Sequence, residues 1–189
     1  MHRTQPRAAA VATLLATIGL IGCAGGGGMF SANAAAAGTA GGGGGASAPL
    51  APLGGSGVSG RVTFTQAGAK VRVRAQVQGL TPGLHGFHVH ERGECVGDGM
   101  SAGGHFNPHG GPHGAASGAR RHGGDMGNLN ADAQGRATLE LELDDVSVGG
   151  GAGNIIGRAV IVHADPDDLN SQPAGNSGRR IACGVIVAS

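Results

Sequence analysis

KVRVRAQV, residues 70–77, alternates strictly: Val71, Val73, Ala75 and Val77 fall on one side, Arg72, Arg74 and Gln76 on the other. A period of two belongs to an extended backbone, whose successive side chains point to opposite faces, so the run predicts a β-strand with one buried and one wet face. Similar short runs rich in valine, isoleucine and threonine recur between glycine-rich breaks: VSGRVTF, GFHVH, RATLELEL, GRAVIVH and CGVIVA. They are too short for helices, and turn sequences such as QAGAK and ADAQGR lie between them. Together they predict an all-β, antiparallel sandwich or barrel. No long amphipathic helix is visible, and DDLNSQ (167–172) is expected to add only a short helical turn.

Glycine divides the chain. It accounts for 41 of 189 residues, unevenly placed. Residues 1–23 carry Arg3 and Arg7, an apolar stretch from Ala8 to Ile21, and then Cys23, which is the plan of an export signal with an apolar run shorter than a membrane span needs. Two cleavage readings compete. SANAAAAG offers Ala32 and Ala34 to an ordinary signal peptidase, whereas LIGC resembles a bacterial lipobox. The lipobox is preferred because the apolar run stops directly before Cys23, while the alanine pair lies beyond the run Gly25 to Gly28. On that reading Cys23 is lipidated and holds the protein at a membrane surface, each buried acyl methylene contributing about 0.8 kcal/mol. The expected location is exported and lipid-anchored at the cell envelope, periplasmic or on the outer face of the cytoplasmic membrane. Residues 24–57 are nearly all Gly, Ala, Ser and Pro and read as a flexible tether. Residues 58–189 are the size of one domain.

With Cys23 assigned to the lipobox, Cys95 and Cys183 remain as a pair in an oxidising compartment, and a disulfide is expected. It would close a loop of about ninety residues, for which chain entropy suggests about 4 to 5 kcal/mol. A formal charge of +1 gives no sign of a nucleic-acid partner.

The chemistry concentrates in histidine. In GFHVH, His88 and His90 flank one valine and so share a strand face, where two imidazoles can grip one metal ion. Residues 91–132 have little strand character, and loops of that length in a compact domain are usually functional or disordered. This one holds His105, His109, His113, His122 and Asp125. Of these, His105, His113, His122 and Asp125 supply three nitrogens and an oxygen, the donor set of a tetrahedral zinc site. His163, closing GRAVIVH, joins His88 and His90 in an imidazole-only set suited to copper.

GFHVHERGEC, GGHFNPHGGPHG, RHGGDMGNL, GRAVIVHADPDDL and GNSGRRIACGVI together resemble copper/zinc superoxide dismutase of the bacterial exported type, along essentially all of residues 58–189. The resemblance implies a Greek-key β-sandwich or barrel, immunoglobulin-like in architecture, with long metal-binding loops. It implies one copper on His88, His90, His105 and His163, and one zinc on His105, His113, His122 and Asp125. His105 then belongs to both sets and takes part in catalysis. Asp167 is implied as the carboxylate that accepts N–H groups from His88 and His113. Arg180 is implied as the cation beside the open copper position, where it would attract and orient superoxide. The implied activity is disproportionation of superoxide to oxygen and hydrogen peroxide, with homodimer and monomer both left open. His85 is expected to pack, His109 has no assigned role, and LNSQPAGNSG departs from the family in carrying no acidic or lysine side chain. The rival reading is a copper- and zinc-buffering surface lipoprotein without catalysis; a zinc hydrolase is disfavoured by the lack of an HExxH pattern.

Overall fold

The computed structural model describes residues 44–189, and the lipobox Cys23, the signal segment and most of the expected tether lie outside these residues. Nine strands occur among them: β1 (Gly45–Pro52), β2 (Ser59–Ala67), β3 (Lys70–Gln78), β4 (Gly83–His90), β5 (Asp125–Ala131), β6 (Ala137–Leu143), β7 (Ala159–His163), β8 (Arg180–Val185) and β9 (Val187–Ala188). A single 3-10 turn, Met100–Ala102, interrupts the loop before β5. All ladders are antiparallel, and the strands follow one another in the order β5-β4-β7-β8-β1-β2-β3-β6, with β9 added beside β1. The result is a nearly closed all-β barrel, as the resemblance implied. β3 passes to β4 and β6 to β7 by crossing between distant places in this order, while β2 and β3 are joined by a two-residue loop that turns at Gly68, φ 63°.

The β3 alternation is realised residue by residue: Val71, Val73, Ala75 and Val77 are buried and the residues between them exposed. Its wet face pairs with β6 through Arg74 to Glu140 and Arg72 to Glu142. Surface pairs of this kind contribute little beyond register, about 0 to 1 kcal/mol each. β7, by contrast, is buried throughout. Val160 and Val162 face the main core with Phe64, Phe87 and Leu143, while Ala159 and Ile161 face a second cluster with Leu53, Ala102 and Cys183, against which Cys95 packs. The long loop after β4 therefore covers the outer side of the sheet that carries the histidines.

Three expectations require correction. Residues 45–52, assigned to the tether, form β1, which sits between β8 and β2 and completes the path around the barrel. Their composition is that of a linker, but Ala46, Ala48 and Leu50 alternate inward and are buried. The tether also extended past Leu53, which is buried in the second cluster, and Ser56, whose Oγ donates to Ile181 O. Residues 125–131, inside the segment expected to lack strand character, form β5 against β4. Gly127 takes φ 75° there and the ladder is bulged between Gly86 and His88, so the side-chain alternation that marks a strand is broken. DDLNSQ forms no helical turn; Leu169 adopts φ 64°, and Asp168 Oδ1 accepts from Asn170 N and Ser171 N in a side-chain-capped turn.

Candidate metal centre

Strand geometry presents His88 and His90 together, and β7, paired beside β4, adds His163 from its end. His105 comes from the loop through an isolated antiparallel bridge with His90. The ring centroids of His88 and His105 lie 3.9 Å apart, those of His90 and His105 5.0 Å, and His90 Nε2 lies 3.3 Å from His163 Nε2. A second group forms on the other side of His105. Its Nδ1 lies 2.8 Å from Asp125 Oδ1, which is also 3.1 Å from His113 Nδ1 and 3.4 Å from His122 Nδ1. Asp125 is held by its other oxygen, which accepts from Gly114 N and His122 N.

The structure thus brings together two four-residue groups, His88, His90, His105, His163 and His105, His113, His122, Asp125, in each of which the candidate ligand atoms lie within 4.8 Å of one another and every residue is buried. These are the two sets expected from the sequence. Hydrogen bonding leaves them incomplete: His88 Nδ1, His105 Nε2, His113 Nδ1 and His122 Nδ1 are buried without a hydrogen-bond partner. An unpaired buried polar atom costs about 1 to 3 kcal/mol, so four in one place demand an explanation. Cations supply it. Three ring nitrogens converge on one carboxylate oxygen at separations close to the edge of a tetrahedron with bonds of about 2.0 to 2.1 Å, roughly 3.3 Å. The donor sets therefore fit a copper and a zinc ion.

Four further ring nitrogens are committed to acceptors, which fixes how those rings face. His90 Nδ1 donates to Gly103 O, His163 Nδ1 to Gly178 O, and His88 and His113 donate from Nε2 to Asp167 Oδ2 and Oδ1 at 2.7 and 2.9 Å. Asp167 is thus where the resemblance put it, between one histidine of each group. His85 stays outside both groups: its Nδ1 lies 2.9 Å from His163 O and its Nε2 2.8 Å from Thr81 O, so it packs as expected and pins the backbone of His163. His109 is exposed and belongs to neither group.

Burial lowers the His88 pKa to about 4 and that of His163 to about 3, and holds His90 and His105 below the ordinary imidazole value, keeping these rings in the neutral form that can bind a metal. Burial pulls His113 down too, but its contacts with Asp125 and Asp167 prevail and raise it to about 9. Both carboxylates, disfavoured by burial, are nonetheless driven well below their usual range by the histidines they face.

An open cavity of about 430 Å³ leads to the first group, lined by His90, His105, His163 and Arg180 together with residues of the 172–178 segment. Arg180 is half-buried, its Nη1 donating to Gly99 O and its Nη2 to Gly103 O, the carbonyl that also accepts from His90. One carbonyl thereby sets the cation against a metal-binding ring. The expected disulfide is present: Cys95 and Cys183 are joined with Cα atoms 5.6 Å apart, tying the loop to β8, which also carries Arg180.

Residues 58–186 match the family described as copper/zinc superoxide dismutase. The chain belongs to the copper/zinc superoxide dismutase family. Among solved structures it is similar to the one titled as a crystal structure analysis of the clock protein EA4, at 40% identity, covering 77% of this chain and 95% of that one, with a TM-score of 0.70. The superoxide dismutase family binds copper and zinc, in agreement with the two donor sets. β1 precedes the matched residues, yet it completes this dismutase-family barrel.

Four residues of the centre had no role in the sequence reading. Asn128 on β5 grips the main chain of Asp167, accepting from its N–H at 2.8 Å and donating to its carbonyl at 2.9 Å. Gln172 makes the same two-way contact with the main chain of His113. Arg121, adjacent to His122, is buried and ties the loop to Asp144 and Asp145 beyond β6. Arg158 lies 3.5 Å over the ring of Phe106, next to His105, and donates to Glu91 O, next to His90. Arg121, Asn128 and Arg158 stand inside the quoted motifs, but nothing in local pattern distinguishes a side chain that reaches across the fold from one that faces water.

Proposed function

We propose that this chain is a working superoxide dismutase that acts outside the cytoplasm, with copper on His88, His90, His105 and His163 and zinc on His105, His113, His122 and Asp125. The observation that carries the reading is His105: one nitrogen lies among the second group, the other is buried without a partner beside the first, and the ring borders the cavity that holds Arg180. Bound there, copper supplies a one-electron redox couple that zinc lacks, while zinc supplies a fixed charge. Two superoxide anions and two protons yield one oxygen and one hydrogen peroxide, so the residues must draw in a small anion and manage protons.

Arg180 performs the first task. Its guanidinium is held by Gly99 and Gly103 carbonyls, acceptors without net charge, so its positive charge remains available to an anion in the cavity. His105 suits the second, since its buried Nε2 is a basic atom at the cavity that can hold or release a proton. Asp167 orients His88 and His113 together, and Gly103 and Gly178 orient His90 and His163. A buffering protein would need the donor sets but not a fixed cation at an open cavity. The disulfide supports an oxidising compartment. Lipidation of Cys23 would place the domain at a membrane surface; among the described residues no helix is long and apolar enough to cross one.

Loading the protein with both metals and measuring superoxide consumption tests the reading. Arg180→Met is expected to retain both metals and lose at least about tenfold in kcat/KM, corresponding to one charge-assisted contact with the substrate. Full metal content with no superoxide consumption by the parent protein would favour the buffer. Palmitate incorporation that disappears in Cys23→Ala supports the anchor; none in the parent protein removes it.

A further inference from the structure

The segment 169–178, LNSQPAGNSG, carries no charged side chain, yet it walls part of the cavity. Gln172 connects that wall to the other metal group. Its Oε1 accepts from His113 N at 2.8 Å and its Nε2 donates to His113 O at 2.9 Å, the two bonds a paired strand residue would make. Nε2 also donates to Asn170 O at 3.0 Å, orienting the amide from its own segment. His113 is therefore held at its ring by Asp167 and at its main chain by Gln172. The same Gln172 lines the cavity with His90, His105, His163 and Arg180.

We propose that Gln172 is a positioning residue that couples occupancy of the zinc-side group to anion binding in the cavity on the copper side. The inference rests on the metal assignment above. A cation among His105, His113, His122 and Asp125 restrains His113; the restrained main chain holds the Gln172 amide, and the amide holds the wall. Gly175 adds to the restraint, since it packs so tightly over Asp167 and His113 that a Cβ there would lie 1.9 Å from Asp167 Oδ1. Coupling between sites is reciprocal, so zinc tightens anion binding by the factor by which the anion tightens zinc.

Azide serves as the anion, titrated into copper-loaded full-length protein with and without zinc and followed by copper absorption. Zinc is expected to tighten azide binding by at least about fivefold in the parent protein, and by a factor near one in Gln172→Leu, which keeps the size but loses both bonds. Gln172→Glu keeps the acceptor and loses the donor, so it should retain part of the factor while its added negative charge weakens azide binding at every zinc level. Zinc release to a chelator should be several-fold faster from Gln172→Leu. A parental factor near one, or a Gln172→Leu protein that holds both metals and keeps the parental factor, overturns the inference while leaving the metal assignment intact. Failure of the parent protein to bind copper and zinc at all sinks that assignment and the coupling with it.

Discussion

Asp167 binds neither metal in the proposed assignment, yet both groups lean on it. Its carboxylate accepts from His88 and His113, and its own backbone is clasped on both sides by the Asn128 amide. Asp167→Ala would leave two buried ring N–H groups unpaired and free both rings to rotate, and is expected to weaken metal affinity about ten- to a hundred-fold; competition against a chelator of known affinity measures it. Gly175→Ala should produce a related defect by a different route, because position 175 has φ 64° and the new methyl would strike Asp167. An alanine at 175 that left metal affinity unchanged would show that the carboxylate can shift without consequence. Arg158 acts further out, through Phe106 and the Glu91 carbonyl. Arg158→Met, which keeps the stem and removes the cation, is expected to lower stability by about 1 to 3 kcal/mol, read by denaturant titration.

At the level of elements, β1 and the disulfide do similar work from opposite ends of the chain. β1 occupies the place between β8 and β2, so its loss exposes unpaired backbone on two neighbours as well as uncovering the core beneath Ala46, Ala48 and Leu50. A chain beginning at residue 58 is therefore expected to melt at least about 10 °C below one beginning at residue 44, burial of Leu50 alone accounting for roughly 2 kcal/mol. Equal melting temperatures would mean that the barrel closes without β1. The Cys95–Cys183 link spans 88 residues of sequence and anchors the loop that supplies Gly99 and Gly103 to Arg180. Cys95→Ser with Cys183→Ser is expected to cost about 2 to 5 kcal/mol of stability. Because the Arg180 contacts depend on that loop, it should also reduce kcat/KM beyond any loss of bound metal, a difference that metal analysis beside the assay separates.

The whole molecule has a pH signature once metals are removed by a chelator. His88, His90 and His163 have folded pKa values below 6.5, so above that pH they are neutral in both states; as pH falls below 6.5 the unfolded chain takes up protons that the folded one refuses, and stability drops towards pH 3 to 4. Asp125 and Asp167, depressed on folding, add to the acid loss below their ordinary pKa. His113, raised to about 9, works the other way: its contribution is complete below 6.5 and is lost as pH rises through 9. Thermal melts of chelated protein should therefore be highest near pH 6.5 and decline on both sides, whereas zinc-loaded protein, with His113 already deprotonated by its ligand, should lack the His113-linked alkaline decline. Rising stability of chelated protein from pH 6.5 to 9 would contradict the His113 assignment. Periodicity, donor type and cysteine count are written in the chain itself, which is why the strand alternation of residues 70–77, the donor residues and the cysteine pair could be read from it, while the place of His105 in both groups came from the family resemblance. Only the folded chain decided that Ala46, Ala48 and Leu50 make a strand, because a linker composition becomes β structure when two neighbours offer unpaired edges. Tertiary structure likewise chose Asn128, Gln172, Arg121 and Arg158 as supports, since each reaches a partner at least 23 residues away in sequence, beyond the span of any local pattern.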